Sequence, residues 1–272
     1  VLGNVIESAS GQSFIEVIES EVLQPLKLEN TGLYVGRRVV ERQAVPYRLS
    51  PEGVVEAQRS KTLGGSAGGG MYSTPADLER FVLALENDSL LKGPWREKLF
   101  APHAAVTDSG HEAYAWSIKQ FGPLSLRFSA GSGYGTKSVV VRDPQSDLFI
   151  AIVSNWGTFP ILDLLRDLFL ISQGQEIAPP DGTDLARPEA LATVLGRYRF
   201  DADALRTALQ AEDGELVVQV FEGRVFLDDE LLAIKSQGVY GLTYTDELTL
   251  HFENQQLILT IDGRELRGRR MD

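Results

Sequence analysis

The sequence contains no cysteine and only three histidines, His103, His111 and His251, and this scarcity limits its chemistry. Without cysteine there is no disulfide, no zinc–thiolate site and no thiol nucleophile. Cysteine-free proteins occur in oxidising and in reducing compartments, so the localisation stays open. A zinc site needs three or four close ligands, and nothing in the sequence resembles His-Glu-x-x-His. We therefore expect neither a metal nor another cofactor.

Basic residues and long apolar runs are also scarce. The 26 Lys and Arg residues stand against 38 Asp and Glu, and the net charge of -12 opposes binding to a nucleic-acid backbone. The longest apolar run, Leu148 to Val153, is far shorter than the roughly 18 residues of a membrane span. The sequence opens at Val1 with neither Met nor a basic flank, so we expect no export signal and a processed or truncated start.

The length of 272 residues favours two domains, because single domains usually have roughly 100 to 200 residues. The segment SQGQEIAPPDGTDLARP, which runs from Ser172 to Pro188, has three prolines, two glycines and no helical or strand periodicity. We interpret it as a linker. The predicted organisation is a first domain over 1–172, a linker over 173–188 and a second domain over 189–272.

The first domain mixes helical and strand patterns. Apolar spacing predicts helices over 1–10, 13–23 and 161–171, and Thr74-Pro75 marks the start of another. Strands are predicted over 114–120, 124–129, 137–142 and 148–154. The predicted fold class is α+β, an antiparallel sheet with helices on its faces.

The second domain reads as consecutive short strands joined by turns. The predicted strands cover 197–200, 205–212, 215–221, 224–227, 231–235, 247–252, 256–261 and 265–269. Two-residue connections such as Glu222-Gly223 separate several of them. Each strand has one apolar face, which favours a small antiparallel barrel or half-barrel.

Three segments of the first domain resemble the serine β-lactamase and penicillin-binding-protein superfamily, in particular its class-C-like branch. They are LGNVIESASGQSFIEVIESEVLQPLKLENTGLY from Leu2, GGSAGGGMYSTPADLERFVLAL from Gly64 and FSAGSGYGTKSVVVRDPQSDLFIAIVSN from Phe128. The resemblance spans roughly 1–172, and related hydrolases also carry a lipocalin-like C-terminal β domain. It implies a serine hydrolase that forms an acyl-enzyme on an ester, amide or β-lactam.

Two motifs that the resemblance implies are absent. Family members use a helical Ser-x-x-Lys, in which the lysine or a nearby tyrosine activates the serine, and a Tyr-x-Asn loop. The one Ser-x-x-Lys match joins Ser89 to Lys92, but Gly93-Pro94 follows at once and would break the required helix. No Tyr-x-Asn occurs. The nucleophile is therefore not identifiable within these residues.

The third family motif, usually Lys-Thr-Gly or His-x-Gly, corresponds to Ser129-Ala130-Gly131. The resemblance implies that Gly131 leaves room for a substrate backbone and that the Ser132 N–H donates to an oxyanion. The loss of the cation at Ser129 predicts lower activity. A glycine-rich β-turn with nothing bound remains the alternative.

Other residues are predicted to line the cleft. Lys137 could replace the missing cation, although a solvated strand lysine is the more frequent role. Gly68 and Gly69 belong to the loop that the family places beside its cleft, and this loop lacks the ending of a phosphate-binding loop. Tyr114 resembles the family's aromatic strand beside the cleft, with core packing as the alternative. His103 and His111 are expected on surface loops.

The sequence therefore predicts a fragment or a degenerate member of a serine hydrolase family. The strands that the family places beside 148–154 are absent, so an upstream segment or a second chain is expected to complete the sheet. The alternative function is a non-catalytic binding protein that uses the old cleft or the acidic β domain, whose residues 181–272 hold 18 acidic and 10 basic side chains. A purely structural two-domain unit is a third possibility.

Overall fold

The structure is a computed structural model. It describes residues 1–272 except 35–38, 51–52, 58–65, 108–109, 122–123, 134, 158, 178–184, 210–213, 243–247, 262 and 272. The helices are α1 Leu2–Ser10, α2 Phe14–Ile18, α3 Pro75–Glu86, α4 Pro94–Phe100, α5 Ile161–Ser172, α6 Pro188–Leu191 and α7 Ala202–Leu209, and a π-helical turn, Glu19–Leu23, continues α2. Among these described residues, none of the helices has the length and apolar character needed to cross a membrane.

The strands are β1 Gly32–Leu33, β2 Tyr47–Ser50, β3 Gly53–Glu56, β4 Met71–Tyr72, β5 Ala104–Thr107, β6 Gly110–Glu112, β7 Ser117–Phe121, β8 Leu124–Gly133, β9 Thr136–Asp143 and β10 Leu148–Ser154, followed by β11 Gly196–Arg199, β12 Glu215–Phe221, β13 Arg224–Leu227, β14 Glu230–Ser236, β15 Val239–Leu242, β16 Leu248–Glu253, β17 Gln256–Ile261 and β18 Arg264–Arg270. This mixture of helices, an antiparallel sheet and a barrel confirms the predicted α+β fold class.

The chain forms two compact units that do not follow the order of the sequence. The first unit contains Val1–Pro46 and Gln58–Asn155, and the second contains Tyr47–Ala57 and Trp156–Asp272. A short stretch from the first half of the sequence therefore belongs to the second unit. The sequence-based boundaries at residues 172 and 189 stay a prediction, and residues 178–184 of the predicted linker lie outside the described part.

The first unit is built on a six-stranded antiparallel sheet with the order β10-β9-β8-β7-β6-β5. Long registers join the central strands, from Arg127 opposite Arg142 to Gly133 opposite Thr136. One face packs against α3 and α4 through a cluster around Val82, Leu85, Trp116 and Val140. The helix α3 begins as predicted, because the Thr74 hydroxyl accepts the Asp77 N–H and proline follows at the first turn.

The second unit contains a closed eight-stranded barrel, β11 to β18, in which each strand pairs with its neighbours in sequence and β18 closes onto β11. Alternate side chains fill the interior, because a strand directs successive residues to opposite faces. Tyr198, Leu232, Leu250 and Leu257 have no exposed surface. We predicted a barrel or a half-barrel, and the closed barrel confirms the first of these two forms.

One predicted strand of the second domain is wrong. Over 205–212 we predicted a strand from the alternation of apolar residues, whereas Ala202–Leu209 forms α7. Asp201 caps this helix by accepting the Ala204 N–H at 2.9 Å. Leu205 and Leu209 lie four residues apart, so one helical face buries both against the barrel core. The spacing of these apolar residues fits the 3.6-residue period of a helix as well as the two-residue period of a strand.

Candidate active site

The strand β8 carries the residues predicted to form the third family motif. Ser129, Gly131 and Ser132 all lie in this strand, which continues to Gly133 and is four residues longer than we predicted. Ser129 is half-buried, and Gly131 and Ser132 are exposed. The predicted motif therefore lies on an extended and accessible strand, with its turn to β9 beyond it.

The backbone of this motif has one edge without a neighbouring strand. On one side β8 pairs with β9 along its length from Arg127 to Gly133. On the other side it pairs with β7 only as far as Phe128, opposite Ser117. Among the described strands, none continues that pairing along 129–133. An extended polypeptide or amide backbone bound there would add to the sheet through main-chain hydrogen bonds.

The register separates the predicted site residues onto two faces of the sheet. Ser132 lies directly opposite Lys137, so their side chains share a face. Ser129 and Gly131 lie on the other face, because side chains alternate along a strand. Lys137 is thus next to the predicted oxyanion donor in register, but it does not share the face of Ser129, whose usual cation it was expected to replace.

Gly131 makes a close approach to the neighbouring strand. A Cβ added to Gly131 would lie 2.9 Å from the Ser138 Oγ. The Ser138 hydroxyl also donates to the Gly131 carbonyl at 3.4 Å. Gly133 is in the same position relative to the Thr136 Oγ1, again at 2.9 Å. Cross-strand packing alone therefore accounts for both glycines. A bound substrate is not needed to explain them, so the alternative of a glycine-rich turn with nothing bound stays a second interpretation.

Gly68 and Gly69 form a tight turn. The Gly69 N–H donates to the Ser66 carbonyl at 3.2 Å, and the Gly68 N–H donates to the Ser66 hydroxyl at 3.3 Å. Gly70 follows with φ of 82°, a conformation that favours glycine, and its carbonyl accepts the Tyr34 N–H. This turn leads directly into β4, which pairs with β1. Gly64 and Gly65 of the same motif lie outside the described residues.

Tyr114 lies in the turn before β7 and not in a strand, because Ala115 takes a left-handed φ of 59°. Its ring is exposed and stacks on His103, with ring centroids 4.1 Å apart. The buried aromatic residue of this segment is Trp116, which belongs to the cluster beneath α3. The Tyr114 N–H donates to the Leu99 carbonyl in α4, and its ring contacts His103 in the segment after α4.

The remaining chemical candidates are solvated or lie outside helices. The helix α3 ends at Glu86 and α4 begins at Pro94, so Ser89 and Lys92 lie between helices, and both are exposed. This agrees with our rejection of the pair as a catalytic Ser-x-x-Lys. His111 is exposed on β6. Within the described ranges, no group of three or more His, Asp or Glu side chains is suited to hold a metal ion.

A buried carboxylate that we did not single out organises the entry to α3. Asp77 is 1% exposed and accepts hydrogen bonds from the Asn30 N–H and the Thr31 hydroxyl, both at 2.9 Å. It also pairs with Arg80 at 2.7 Å. Asp77 thereby joins the segment before β1 to the segment after β4, and so supports the pairing of β1 with β4, the strand that follows the glycine-rich turn. The motif Thr-Pro-Ala-Asp was visible in the sequence, but its partners, more than 40 residues upstream, were not.

A second unforeseen network fixes α3 on the sheet. Glu86 accepts from Arg127 at 2.7 Å and from Arg142 at 2.9 Å, and these arginines lie opposite each other on β8 and β9. Burial lowers the pKa of Arg127, although Glu86 opposes this change. For Arg142, burial also opposes the charge, but the bonds to Glu86 and Asp147 outweigh it and raise the pKa. The network fixes β8 at Arg127, two residues before Ser129.

Comparisons with known proteins agree with this architecture. A family profile described as Beta-lactamase matches residues 1–169. An uncharacterized protein from Mycobacterium tuberculosis is 27% identical over 168 residues, which cover 58% of this chain and 40% of that protein. The chain thus spans less than half of this curated relative.

Solved structures show the same fold. The penicillin-binding protein from Bacillus halodurans has a TM-score of 0.59 and 25% identity, covering 62% of this chain and 53% of its own. The octameric penicillin-binding protein homologue from Pyrococcus abyssi has a TM-score of 0.58 and 20% identity, covering 98% and 62%. The D-amino acid amidase from Ochrobactrum anthropi complexed with D-phenylalanine has a TM-score of 0.52 and 20% identity, covering 64% and 56%.

Proposed function

Since the chain belongs to the beta-lactamase family, we propose that it supplies the walls of an active site that acylates a serine with an ester, amide or β-lactam. In such a reaction a serine oxygen attacks the substrate carbonyl, the leaving group departs, and water releases the acyl group from the serine. The role proposed for this chain is to hold the substrate and to stabilise the oxyanion. The Ser132 N–H is the proposed donor on β8.

The observation that carries the proposal is the edge of β8 over 129–133, which has no neighbouring strand among the described ones. This segment is the one that resembles the third family motif. An unpaired strand edge beside small residues fits a substrate with an extended amide or peptide-like backbone, because such a backbone can satisfy the free main-chain groups.

The nucleophilic serine is proposed to lie outside these 272 residues, in an upstream segment or a second chain. Ser89 and Lys92 do not lie on a helix, and they are the one Ser-x-x-Lys match of the sequence. The sheet offers a place for such a segment. The strand β10 is the terminal strand in the described order, and Val153 on it is 44% exposed. A further strand can pair with its outer edge.

Labelling with a fluorophosphonate and with a fluorescent penicillin tests this proposal. The 272-residue chain and the product of the complete open reading frame of its gene are labelled in parallel, and mass spectrometry locates the modified residue. We expect the 272-residue chain to stay unlabelled. We expect the complete product to be labelled stoichiometrically on a serine of a Ser-x-x-Lys motif. Labelling of a serine within 1–272 would contradict the assignment of the nucleophile.

A non-catalytic binding function is the second candidate. It is favoured by Ser129, which stands where the family has a cation, and by the cross-strand packing that accounts for Gly131 without a substrate. If the complete product has no labelled serine while it remains folded, this candidate replaces the first. Its binding partner would then be sought for the old cleft or the acidic barrel.

A further inference from the structure

Ser138, on β9, contacts the peptide unit that carries the proposed oxyanion donor. This unit joins Gly131 to Ser132, so that its N–H is the proposed donor and its C=O belongs to Gly131. The Ser138 hydroxyl donates to that C=O at 3.4 Å. The motifs that resemble the family assign no role to Ser138, which lies seven residues beyond Gly131 in the sequence.

The same contact fixes the direction of the proposed donor. A peptide unit is planar and trans, so its C=O and its N–H point in opposite directions. The Gly131 C=O is directed towards β9, because Ser138 lies on β9 directly opposite Gly131. The Ser132 N–H is therefore directed towards the other edge of β8. At that edge the pairing with β7 ends at Phe128, and none of the described strands continues it.

Glycine at position 131 allows this contact. A Cβ at this position would lie 2.9 Å from the Ser138 Oγ, so a side chain there would push the hydroxyl away from the carbonyl. Ser138 itself is half-buried. Val140, two residues further along the same face of β9, is 8% exposed and belongs to the cluster beneath α3. The hydroxyl is thus carried by a strand that the core of the first unit holds in place.

We propose that Ser138 is a positioning residue of the acylation reaction, which holds the Gly131–Ser132 peptide unit so that its N–H is aimed at the oxyanion. The reaction itself rests on the proposed function above. The hydrogen bond and its effect on the peptide unit are independent of that function, and they are measurable without any substrate.

The role follows from the charge that develops during acylation. As the serine oxygen bonds to the substrate carbonyl carbon, the C=O electron pair moves onto the carbonyl oxygen, which then accepts the Ser132 N–H. A hydrogen bond to the C=O of a peptide unit polarises the unit and strengthens the N–H at its other end as a donor. The bond also orients this donor before the charge forms. Both effects act on the rate of acylation and not on binding of the uncharged substrate.

NMR spectroscopy of the 272-residue protein tests the hydrogen bond. Ser138→Thr keeps the hydroxyl, and Ser138→Val removes it with nearly the same shape. Thr136→Val is the control, because Thr136 lies opposite Gly133 and its Oγ1 would be 2.9 Å from a Cβ there. We expect Ser138→Val to move the Gly131 carbonyl-carbon and Ser132 amide-proton resonances to lower frequency. Ser138→Thr and Thr136→Val should leave both resonances close to those of the wild type.

The rate of labelling by a fluorophosphonate in the product of the complete open reading frame tests the positioning. Rates at increasing probe concentrations separate the maximal rate from the half-saturating concentration. We expect Ser138→Val to lower the maximal rate about three- to ten-fold, less than the roughly 100-fold loss that follows removal of an oxyanion donor, at an unchanged half-saturating concentration. Ser138→Thr should keep at least half of the maximal rate, and Thr136→Val should stay within two-fold of wild type.

Three results would overturn the positioning role. If Ser138→Val and Ser138→Thr have the same Gly131 carbonyl resonance, the hydroxyl does not act on the peptide unit. If their maximal rates are equal, or if Ser138→Val changes only the half-saturating concentration, Ser138 does not act through the donor. A complete product that the probe does not label would overturn the proposed function and with it the role in acylation. The resonances would then still decide whether Ser138 holds the peptide unit.

Discussion

Among the residues that the structure describes, Asp228 is the one whose ionisation has the largest expected effect on stability. It lies in the turn between β13 and β14, where its carboxylate accepts the Val217 N–H at 2.6 Å. Burial raises its pKa to about 7; the Val217 bond and Arg48 oppose this increase, whereas Asp229 and Glu230 add to it. In the unfolded chain the pKa of an aspartate is roughly 3.9, so the folded state favours the protonated carboxyl.

The sign of the pH dependence follows from this raised pKa. The stabilising contribution of protonated Asp228 is present in full below about pH 4 and is lost as the pH rises towards 7. The loss is on the order of 1.4 kcal/mol for each pKa unit. We predict that Asp228→Asn flattens the decline in unfolding free energy between pH 4 and 7, measured by urea denaturation. Asp203→Asn, at a side chain that is 92% exposed, should leave the decline unchanged.

Asp77 gives a second prediction for a single residue. Asp77→Ala removes the buried acceptor of the Asn30 N–H and the Thr31 hydroxyl, leaves the Thr31 hydroxyl with the Ser73 hydroxyl as its partner, and breaks the ion pair with Arg80. We expect a loss of about 2–3 kcal/mol in unfolding free energy. Glu79→Ala, on the exposed face of the same helix, is the control. An equal effect of the two changes would show that the buried network contributes nothing specific.

These two residues also mark the limits of prediction from sequence. The capping residue Thr74 is recognisable because its partner lies three residues away, whereas the partners of Asp77 lie at residues 30 and 31. Asp228 looks like any acidic turn residue. Its altered pKa arises from burial between strands that only the folded barrel brings together.

At the scale of elements, Glu86 joins one helix to two strands. It is the shared partner of Arg127 and Arg142, so removing its charge leaves two arginines of like charge opposite each other. We predict that Glu86→Gln lowers the unfolding free energy by about 3 kcal/mol, because a partly buried ion pair is broken from one side. Guanidinium denaturation followed by tryptophan fluorescence measures it. Glu97→Gln, at an exposed position of α4, should change it by less than about 0.5 kcal/mol.

The elements that were predicted well are those with local signals. The strand over 148–154 and the strand over 256–261 have the predicted bounds, since apolar residues and turn residues define them. The helix α7 was mistaken for a strand because Leu205 and Leu209 satisfy both periods. The hairpin β2–β3 was not predicted at all, since its one buried anchor, Leu49, acquires its role through contact with distant strands.

At the scale of the whole molecule, the family and the barrel were predictable and the division into units was not. Ordered motifs over 1–172 indicated the family, which the match to 1–169 confirms. The composition of residues 47–57 does not indicate that this stretch belongs to the second unit. The site is likewise predicted only in part, because the resemblance locates β8 but Ser129 does not supply the expected cation.

The central claim is that the free edge of β8 at Gly131 binds the acyl donor. Gly131 and Gly133 provide a matched pair, because each Cβ would approach a hydroxyl on β9 at 2.9 Å and a defect in packing would affect both. The direct measurement is the rate of acylation by a fluorophosphonate in the product of the complete open reading frame, with Gly131→Val and Gly133→Val. We predict that Gly131→Val lowers this rate at least ten-fold relative to Gly133→Val, because its side chain obstructs the substrate. Equal rates for the two variants, or no acylation of the unmodified protein, would contradict the claim.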